Sequence, residues 1–145
     1  FYNFVRMNWF NTIIEDNKTK VFDPIRKSYC ALTPEEEVRQ KMLYYLVEQK
    51  KYPAGLIAVE YSIKVNGLPK RCDIVVFNKE AKPKMIVECK AEYVPITQKV
   101  LDQAIRYYSG LNVEYLVLTN GKTMFCYHID IENKRIESLN EIPQF

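Results

Sequence analysis

Two neighbouring apolar segments in the middle of the chain constrain its fold more than any other feature. Residues 71–77 and 85–90 are rich in β-branched side chains, and a polar segment containing Pro83 separates them. This pattern predicts two strands joined by a turn. Both strands carry charged residues, namely Asp73 in the first and Glu88 and Lys90 in the second. Acids are depleted in strand interiors, because a buried carboxylate is costly unless it is paired or binds a cation.

The spacing of these charges predicts that they meet at one edge of a sheet. Side chains alternate between the two faces of a strand, so Glu88 and Lys90 point the same way and Cys89 points the other way. Asp73 is expected near the start of its strand. If the strands are antiparallel neighbours, that start lies beside the end of the second strand. Two carboxylates and an amine would then lie close together.

The rest of the chain supplies helices and further strands around this pair. Thr33 can cap a helix that begins at Pro34 and continues to about Lys50. Alternation over residues 56–65 predicts a strand with Ile57, Val59, Tyr61, Ile63 and Val65 on one side. Glu60 lies on the other side, where it could face the site or only water, and water is the preferred interpretation. The remaining predicted elements are a helix over 97–109, strands over 113–119 and 124–129, and a polar end from residue 131 that forms a short helix or a tail.

This order of elements predicts an α/β fold. Three strands with short connections form an antiparallel meander, and a crossover helix leads to a parallel strand, giving a mixed sheet flanked by helices. A chain of 145 residues that is 48% hydrophobic suits one domain over residues 1–145. Residues 1–31 are interpreted as an N-terminal extension that contains a hairpin.

Composition narrows the class of function. The net charge of +3 permits a polyanionic partner without requiring one. The four cysteines are scattered, which disfavours a zinc site and favours a reduced, cytoplasmic setting. No apolar run is long enough to cross a membrane. The one histidine, His128, is expected to be structural, and a histidine-based metal site or a Ser-His-Asp triad is disfavoured.

At this point the sequence resembles a known superfamily. Asp73 followed by Glu88-Cys89-Lys90 resembles the signature of the PD-(D/E)xK nucleases, although Cys72 replaces a proline that is common there. The predicted order of elements is similar to the restriction-endonuclease-like core of that superfamily. Gln103 and Tyr107 resemble the Q-x-x-x-Y motif of its RecB-like branch.

A second resemblance is more specific. The segments that start at Phe22 (FDPIRK), Leu32 (LTPEE) and Val38 (VRQ) are similar to the N-terminal domain of type I restriction enzyme R subunits and of their small stand-alone relatives. The resemblance covers residues 22–128. The chain contains nothing like the large ATP-driven motor of a full R subunit, so DNA translocation is not predicted for it.

The resemblance implies a metal-dependent DNA endonuclease that uses Mg²⁺ or Mn²⁺. Phosphodiester hydrolysis needs charge neutralisation on the phosphate and an activated water. Asp73 and Glu88 supply oxygen ligands of the kind that these cations prefer, and the backbone carbonyl of Cys89 is a further candidate. Lys90 is expected to orient or deprotonate the water, or to stabilise the developing negative charge. The alternative is that Asp73, Glu88 and Lys90 form only a structural ion-pair cluster.

Three further residues are candidates for the site. A glutamate of the first helix often completes the metal shell in this superfamily, and Glu36 is the preferred candidate over its neighbour Glu35. The alternative, with equal weight, is that Glu36 only closes a capping box with Thr33. Gln103 and Tyr107 lie one helical turn apart on one face, where the amide could hold Lys90 or a phosphate and the hydroxyl could donate to a phosphate oxygen.

The partners implied are DNA and the modification, specificity or motor subunits of a restriction complex. Double-strand cutting would need two active sites, from a homodimer or from two partners. Candidate phosphate contacts are Arg26, Lys27, Arg39, Lys70 and Arg71. Two other interpretations remain open, a nucleic-acid-binding or assembly module that has lost activity and a protein-interaction subunit without a nucleic-acid role.

Overall fold

The N-terminal part of the chain forms a small sheet of its own. A computed structural model describes residues 7–145, so the first six residues of the predicted extension lie outside the described part. Strands β1 (Thr12–Glu15), β2 (Lys18–Asp23) and β3 (Ser28–Ala31) pair antiparallel in that order. β1 and β2 make a hairpin, and β3 adds a strand that the sequence analysis did not predict.

The first helix begins where its capping signal predicts. Helix α1 spans Pro34–Tyr44 and continues as a π-helical turn over Tyr45–Gln49. The Thr33 hydroxyl accepts a hydrogen bond from the backbone N–H of Glu36, at 3.1 Å, which satisfies one of the free donors at the helix start. The predicted helix is therefore confirmed.

Six strands form the main sheet in the order of the sequence. They are β4 (Ile57–Val65), β5 (Leu68–Phe77), β6 (Pro83–Cys89), β7 (Tyr115–Thr119), β8 (Met124–Asp130) and β9 (Arg135–Leu139). Helix α2 (Gln98–Tyr108) connects β6 to β7, which pair in parallel, whereas the other neighbours are antiparallel. The predicted mixed sheet with its crossover helix is confirmed.

The C-terminal end differs from the prediction of a short helix or a tail. β9 lies at the edge of the sheet and pairs with β8 over residues 126–130. Four of its five residues are exposed, so its sequence has no apolar alternation to mark it as a strand. β9 forms because it pairs with the strand β8, and not because of a pattern in its own sequence.

The sheet separates two apolar clusters. One side packs against α1 and includes Leu43, Ile74 and Val87. The other side packs against α2 and includes Val75 and Leu101. The sheet is therefore covered by one helix on each face.

Strand β4 changes face at Glu60, so the prediction that its odd-numbered residues share one side is wrong. Val59 packs with the α1 cluster, whereas Val65 packs with the α2 cluster. Glu60 has a φ of 52°, a left-handed conformation that interrupts the alternation. The partner strand changes face at the same level, since Cys72 packs on the α2 side and Ile74 on the α1 side.

Two further observations concern membrane-spanning helices and the state of the cysteines. In the part of the chain from residue 7 onward, no helix is both long and apolar enough to cross a membrane. All four cysteines are free thiols.

Candidate active site

Asp73 and Glu88 lie side by side on neighbouring strands. Ile74 pairs with Val87 in the antiparallel register of β5 and β6, and Asp73 precedes Ile74 as Glu88 follows Val87. β5 begins earlier than expected, at Leu68, so Asp73 lies in the middle of its strand rather than near the start. β6 ends at Cys89, whose N–H donates to Asp73 Oδ2 at 2.8 Å. The two carboxylates therefore meet where β6 ends and β5 continues.

Burial and hydrogen bonding control the charge of Glu88. The pKa of Glu88 is raised from 4.5 to about 7: burial is the largest cause, a hydrogen bond from Tyr108 opposes it, and the nearby Asp73 carboxylate adds to it. The Tyr108 hydroxyl donates to Glu88 Oε1 at 2.6 Å. Two carboxylates that repel each other in a partly buried position are an arrangement that a bound cation would stabilise.

A cleft beside Glu88 brings together five of the residues predicted from the sequence. It has a volume of about 350 Å³ and is lined by Glu88, Lys90, Gln103 and Tyr107, together with Lys70. Lys90 follows β6 directly, and its backbone N–H donates to the carbonyl of Thr119 at 2.8 Å. Lys90 also lines a second cavity, of about 560 Å³, next to the start of α1. The lysine thus lies between the two cavities.

Glu36 is bound by cationic and amide side chains. It is 5% exposed, and its Oε1 accepts from Arg26 at 2.5 Å and from Gln40 at 3.0 Å. Its Oε2 accepts from Arg39 at 2.6 Å. The backbone N–H of Thr33 donates to Ala31 and not to Glu36, so the capping-box alternative is wrong. The role of Glu36 as a metal ligand stays a prediction.

Glu35, the other candidate of the first helix, is about half exposed and lies 3.6 Å from Arg39. Within residues 7–145, no three acidic, thiol or imidazole groups converge as a metal-binding cluster. The carboxylates brought together at the strand ends are therefore two, Asp73 and Glu88.

A comparison with protein families identifies the family of this chain. The model of the family described as Type I restriction enzyme R protein N terminus (HSDR_N) matches residues 34–143. The chain belongs to this family.

Solved structures show the same fold at low identity. A fragment of a candidate HsdR subunit of a type I restriction enzyme from Vibrio vulnificus YJ016 is 20% identical, with a TM-score of 0.52, over 76% of this chain and 23% of that chain. A candidate nuclease belonging to DUF820 from Anabaena variabilis ATCC 29413 is 12% identical, with a TM-score of 0.50, over 95% of this chain and 82% of that chain. This chain thus spans about a quarter of the length of the Vibrio protein. A comparison with curated proteins found no match.

Sequence reasoning missed one residue of the site in this member of the R protein family. The Q-x-x-x-Y pattern selects Tyr107, which is 40% exposed and lines the cleft, whereas the adjacent Tyr108 is 3% exposed and binds Glu88. The position of Tyr108 on the apolar face of α2 could have identified it from the sequence. A tyrosine that is expected to be buried needs a partner for its hydroxyl, and the nearest acid is then a candidate.

The candidate phosphate contacts fall into two groups. Lys70 lines the cleft, Arg71 has a side chain that is 67% exposed, and Lys27 lies exposed in the β2–β3 turn. These three are accessible to a ligand. Arg26 and Arg39 are instead engaged with carboxylates, and Arg39 is 5% exposed. The five basic residues therefore differ in how available they are to a phosphate.

Glu60 faces these arginines, so the prediction that it faces only water is wrong. Its Oε2 accepts from Arg71 at 2.9 Å and lies 3.4 Å from Arg26, and its Oε1 lies 3.6 Å from Arg39. Glu60 and Asp73 lie between the pairs Val59–Ile74 and Tyr61–Cys72 in the register of β4 and β5. The left-handed conformation of Glu60 thus occurs at the level of the site. His128 lines neither cavity at the site and lies 3.7 Å from Glu114 on the main sheet.

Proposed function

We propose that this domain is a metal-dependent DNA endonuclease that hydrolyses phosphodiester bonds at the end of β6. The observation that carries the proposal is the pairing of Asp73 with Glu88 beside a cleft that also holds Lys90. Membership of the type I R protein family and the restriction-endonuclease-like fold support it.

The residues present fit a divalent cation such as Mg²⁺ or Mn²⁺. The carboxylates of Asp73 and Glu88 would hold it, with the backbone carbonyl of Cys89 as a further ligand. Tyr108 binds only Oε1 of Glu88, which leaves Oε2 for a metal. When bound, such a cation neutralises charge on the phosphate and lowers the pKa of a water molecule. The raised pKa of Glu88 supports this assignment, because it shows that negative charge at this position is poorly compensated by the protein alone.

Lys90 supplies the positive charge on the side of the substrate. Among residues 7–145, no ion pair within 4.0 Å involves its ammonium group, which therefore remains available to a ligand in the cleft. An ammonium group has three donors and can bind a phosphate oxygen and a water at once. In this position Lys90 orients the attacking water and stabilises the charge that develops on the phosphate.

Gln103 and Tyr107 position the substrate from the opposite wall of the cleft. Both are exposed residues of α2 and line the cleft with Glu88. The amide and the phenol are neutral donors, so they contribute hydrogen bonds to a phosphate or to Lys90 without competing for the cation.

One observation favours a second candidate function. The acids Asp73 and Glu36 are both bound by arginines, and no third ligand joins Asp73 and Glu88 within residues 7–145. Such neutralised acids would suit an inactive DNA-binding or assembly module of a restriction-type complex, with modification, specificity or motor subunits as partners.

A cleavage assay distinguishes the nuclease from the inactive DNA-binding or assembly module. Purified protein is incubated with supercoiled plasmid and with single-stranded DNA in Mg²⁺, Mn²⁺ or EDTA. We expect metal-dependent nicking or cutting that is lost in Glu88→Gln and Lys90→Ala. Lys41→Gln is the matched control, because Lys41 is an exposed residue of α1 that pairs with Glu37 at 3.1 Å. Equal rates for the wild type and Glu88→Gln would show that a contaminant cuts the DNA. Binding without cleavage by the wild type would favour the second candidate.

A further inference from the structure

A continuous series of charged groups connects the N-terminal sheet to Asp73. Its members, in order, are Asp23, Arg26, Glu36, Arg39 and Asp73. Arg26 Nε donates to Asp23 Oδ2 at 2.6 Å, and Arg26 Nη2 donates to Glu36 Oε1 at 2.5 Å. Arg39 Nη1 donates to Glu36 Oε2 at 2.6 Å, and Arg39 Nη2 donates to Asp73 Oδ1 at 3.0 Å. We call this series the charge relay.

Both ends of the charge relay are fixed to the backbone. Asp23 is 0% exposed, and its Oδ1 accepts from the backbone N–H groups of Ile25 and Arg26, at 2.7 and 3.0 Å. At the other end, Asp73 Oδ2 accepts from the N–H of Cys89. The relay therefore joins the β2–β3 turn, α1, β5 and the end of β6.

The orientation of each side chain in the charge relay depends on the side chain to which it is hydrogen-bonded. Each arginine donates its shortest hydrogen bonds to two carboxylates of the charge relay through different nitrogens, and the planar guanidinium fixes the angle between them. Glu60 lies farther away, 3.4 Å from Arg26 and 3.6 Å from Arg39. Removing one partner leaves a buried charge uncompensated, so the remaining groups must move to find new partners. Because Arg39 and the Cys89 N–H hold the two oxygens of Asp73, a displacement of Arg39 turns the carboxylate.

We propose that Asp23 and Arg26 are positioning residues of the nuclease site, which orient Asp73 through Glu36 and Arg39. Glu36 is then a link of the charge relay and not a metal ligand. The proposal rests on the proposed function for the role of Asp73. It goes beyond the proposed function, which gives Asp23 no part in the site and which takes Arg26 from the sequence only as a candidate phosphate contact. The N-terminal sheet is thereby part of the site.

The Cys89 amide reports the orientation of Asp73 in the metal-free protein, without any need for activity. We expect its ¹H–¹⁵N resonance to shift in Arg26→Gln and in Glu36→Gln, because the acceptor of this N–H turns away. Lys20→Gln is the matched control, since Lys20 is a cation of the same N-terminal sheet that pairs with Glu15 at 3.1 Å outside the relay. The control should leave the Cys89 resonance in place. If Arg26→Gln does not fold, Glu36→Gln carries the test, because glutamine keeps the size of the side chain.

Cleavage and metal binding give the second readout. Arg26→Gln and Glu36→Gln should lower the cleavage rate at saturating Mn²⁺ by about 10- to 100-fold, as expected for groups that hold a metal ligand in place. Calorimetry should show that Glu36→Gln and Arg26→Gln weaken Mn²⁺ binding to a similar degree, because both act on the cation only through the orientation of Asp73. Arg26→Lys, which keeps the charge but loses the planar fork, should recover part of the rate.

The results separate this proposal from the proposed function. An unchanged Cys89 resonance in Glu36→Gln would overturn the charge relay even if the wild type cuts DNA. Mn²⁺ affinity that falls in Glu36→Gln but is unchanged in Arg26→Gln would overturn it as well, and would identify Glu36 as a ligand. If the wild type does not cut DNA, the proposed function fails, while the Cys89 resonance still shows whether the relay orients Asp73.

Discussion

The hydroxyl of Tyr108 offers a direct way to change the charge of Glu88 without removing either carboxylate. In Tyr108→Phe the ring stays buried against the sheet, so the change creates no cavity, and only the 2.6 Å hydrogen bond to Glu88 is lost. A donor to a carboxylate favours its ionised form. We therefore expect the pKa of Glu88 to rise above its value of about 7 in the wild type.

The size of this effect follows from the strength of the lost bond. A hydrogen bond to a charged group contributes about 1.5–3 kcal/mol, which corresponds to roughly one to two pH units in the titration of Glu88. At neutral pH about half of the wild-type Glu88 is ionised, because its pKa is about 7. In the variant the ionised fraction should fall below roughly a tenth.

Metal binding provides the assay, since a carboxylate must lose its proton to bind a cation. Mn²⁺ affinity measured by calorimetry as a function of pH should show a midpoint that moves to higher pH by roughly one to two units in Tyr108→Phe. Tyr107→Phe is the matched control, because Tyr107 is the adjacent tyrosine of α2 and does not bind Glu88. Identical pH profiles for the wild type and Tyr108→Phe would refute the reasoning, as would an equal change in the control.

Three further predictions follow from the same geometry. Because the pKa of Glu88 is raised from 4.5 to about 7, its contribution to stability is complete below the lower value and is lost as the pH rises through the higher one. Urea unfolding of metal-free Glu88→Gln above neutral pH should thus give a free energy of unfolding about 2–3 kcal/mol higher than that of the wild type. The free energy of unfolding of Asp73→Asn should instead be lower, since the new amide nitrogen would face an N–H donor. Gln103→Ala and Tyr107→Phe should lower single-turnover cleavage roughly tenfold to a thousandfold and leave Mn²⁺ affinity almost unchanged; full activity of the double variant would contradict this. Lys70→Gln should reduce the salt dependence of DNA binding by about one phosphate contact, and an unchanged slope would place Lys70 outside the interface.

The sequence predicted those features that depend on local pattern. The β-branched runs and the turn between them identified β5 and β6, and antiparallel pairing then placed Asp73 beside Glu88. Thr33 and Pro34 marked the start of α1, because capping depends on a few adjacent residues. The crossover helix and the parallel strand followed from the order of elements.

The features that were missed depend on contacts between distant residues. The bonds from Arg26 to Glu36 and from Arg39 to Asp73 join residues 10 and 34 positions apart, and no periodicity marks them. The change of face at Glu60 is a single left-handed residue in an otherwise regular alternation. β9 forms because an edge is available for pairing, which its exposed residues do not show.

The sequence pattern also could not show which of the adjacent tyrosines, Tyr107 or Tyr108, contacts Glu88. A motif identified Tyr107 from its spacing to Gln103, and the cleft contains both residues. Only the packing of α2 on the sheet shows that Tyr108 reaches Glu88. Adjacent residues of a helix point about 100° apart, so a shift of one residue exchanges a cleft residue for a buried one.

The most direct test of the central claim is the position of a metal ion relative to bound DNA. A crystal of the protein with a DNA oligonucleotide and Mn²⁺, with Lys90→Ala used to prevent turnover, would locate the ion by its anomalous scattering. We expect one peak bound by the carboxylates of Asp73 and Glu88, with a phosphate of the DNA next to it in the cleft. A peak bound elsewhere, or a DNA phosphate path that avoids this cleft, would contradict the account.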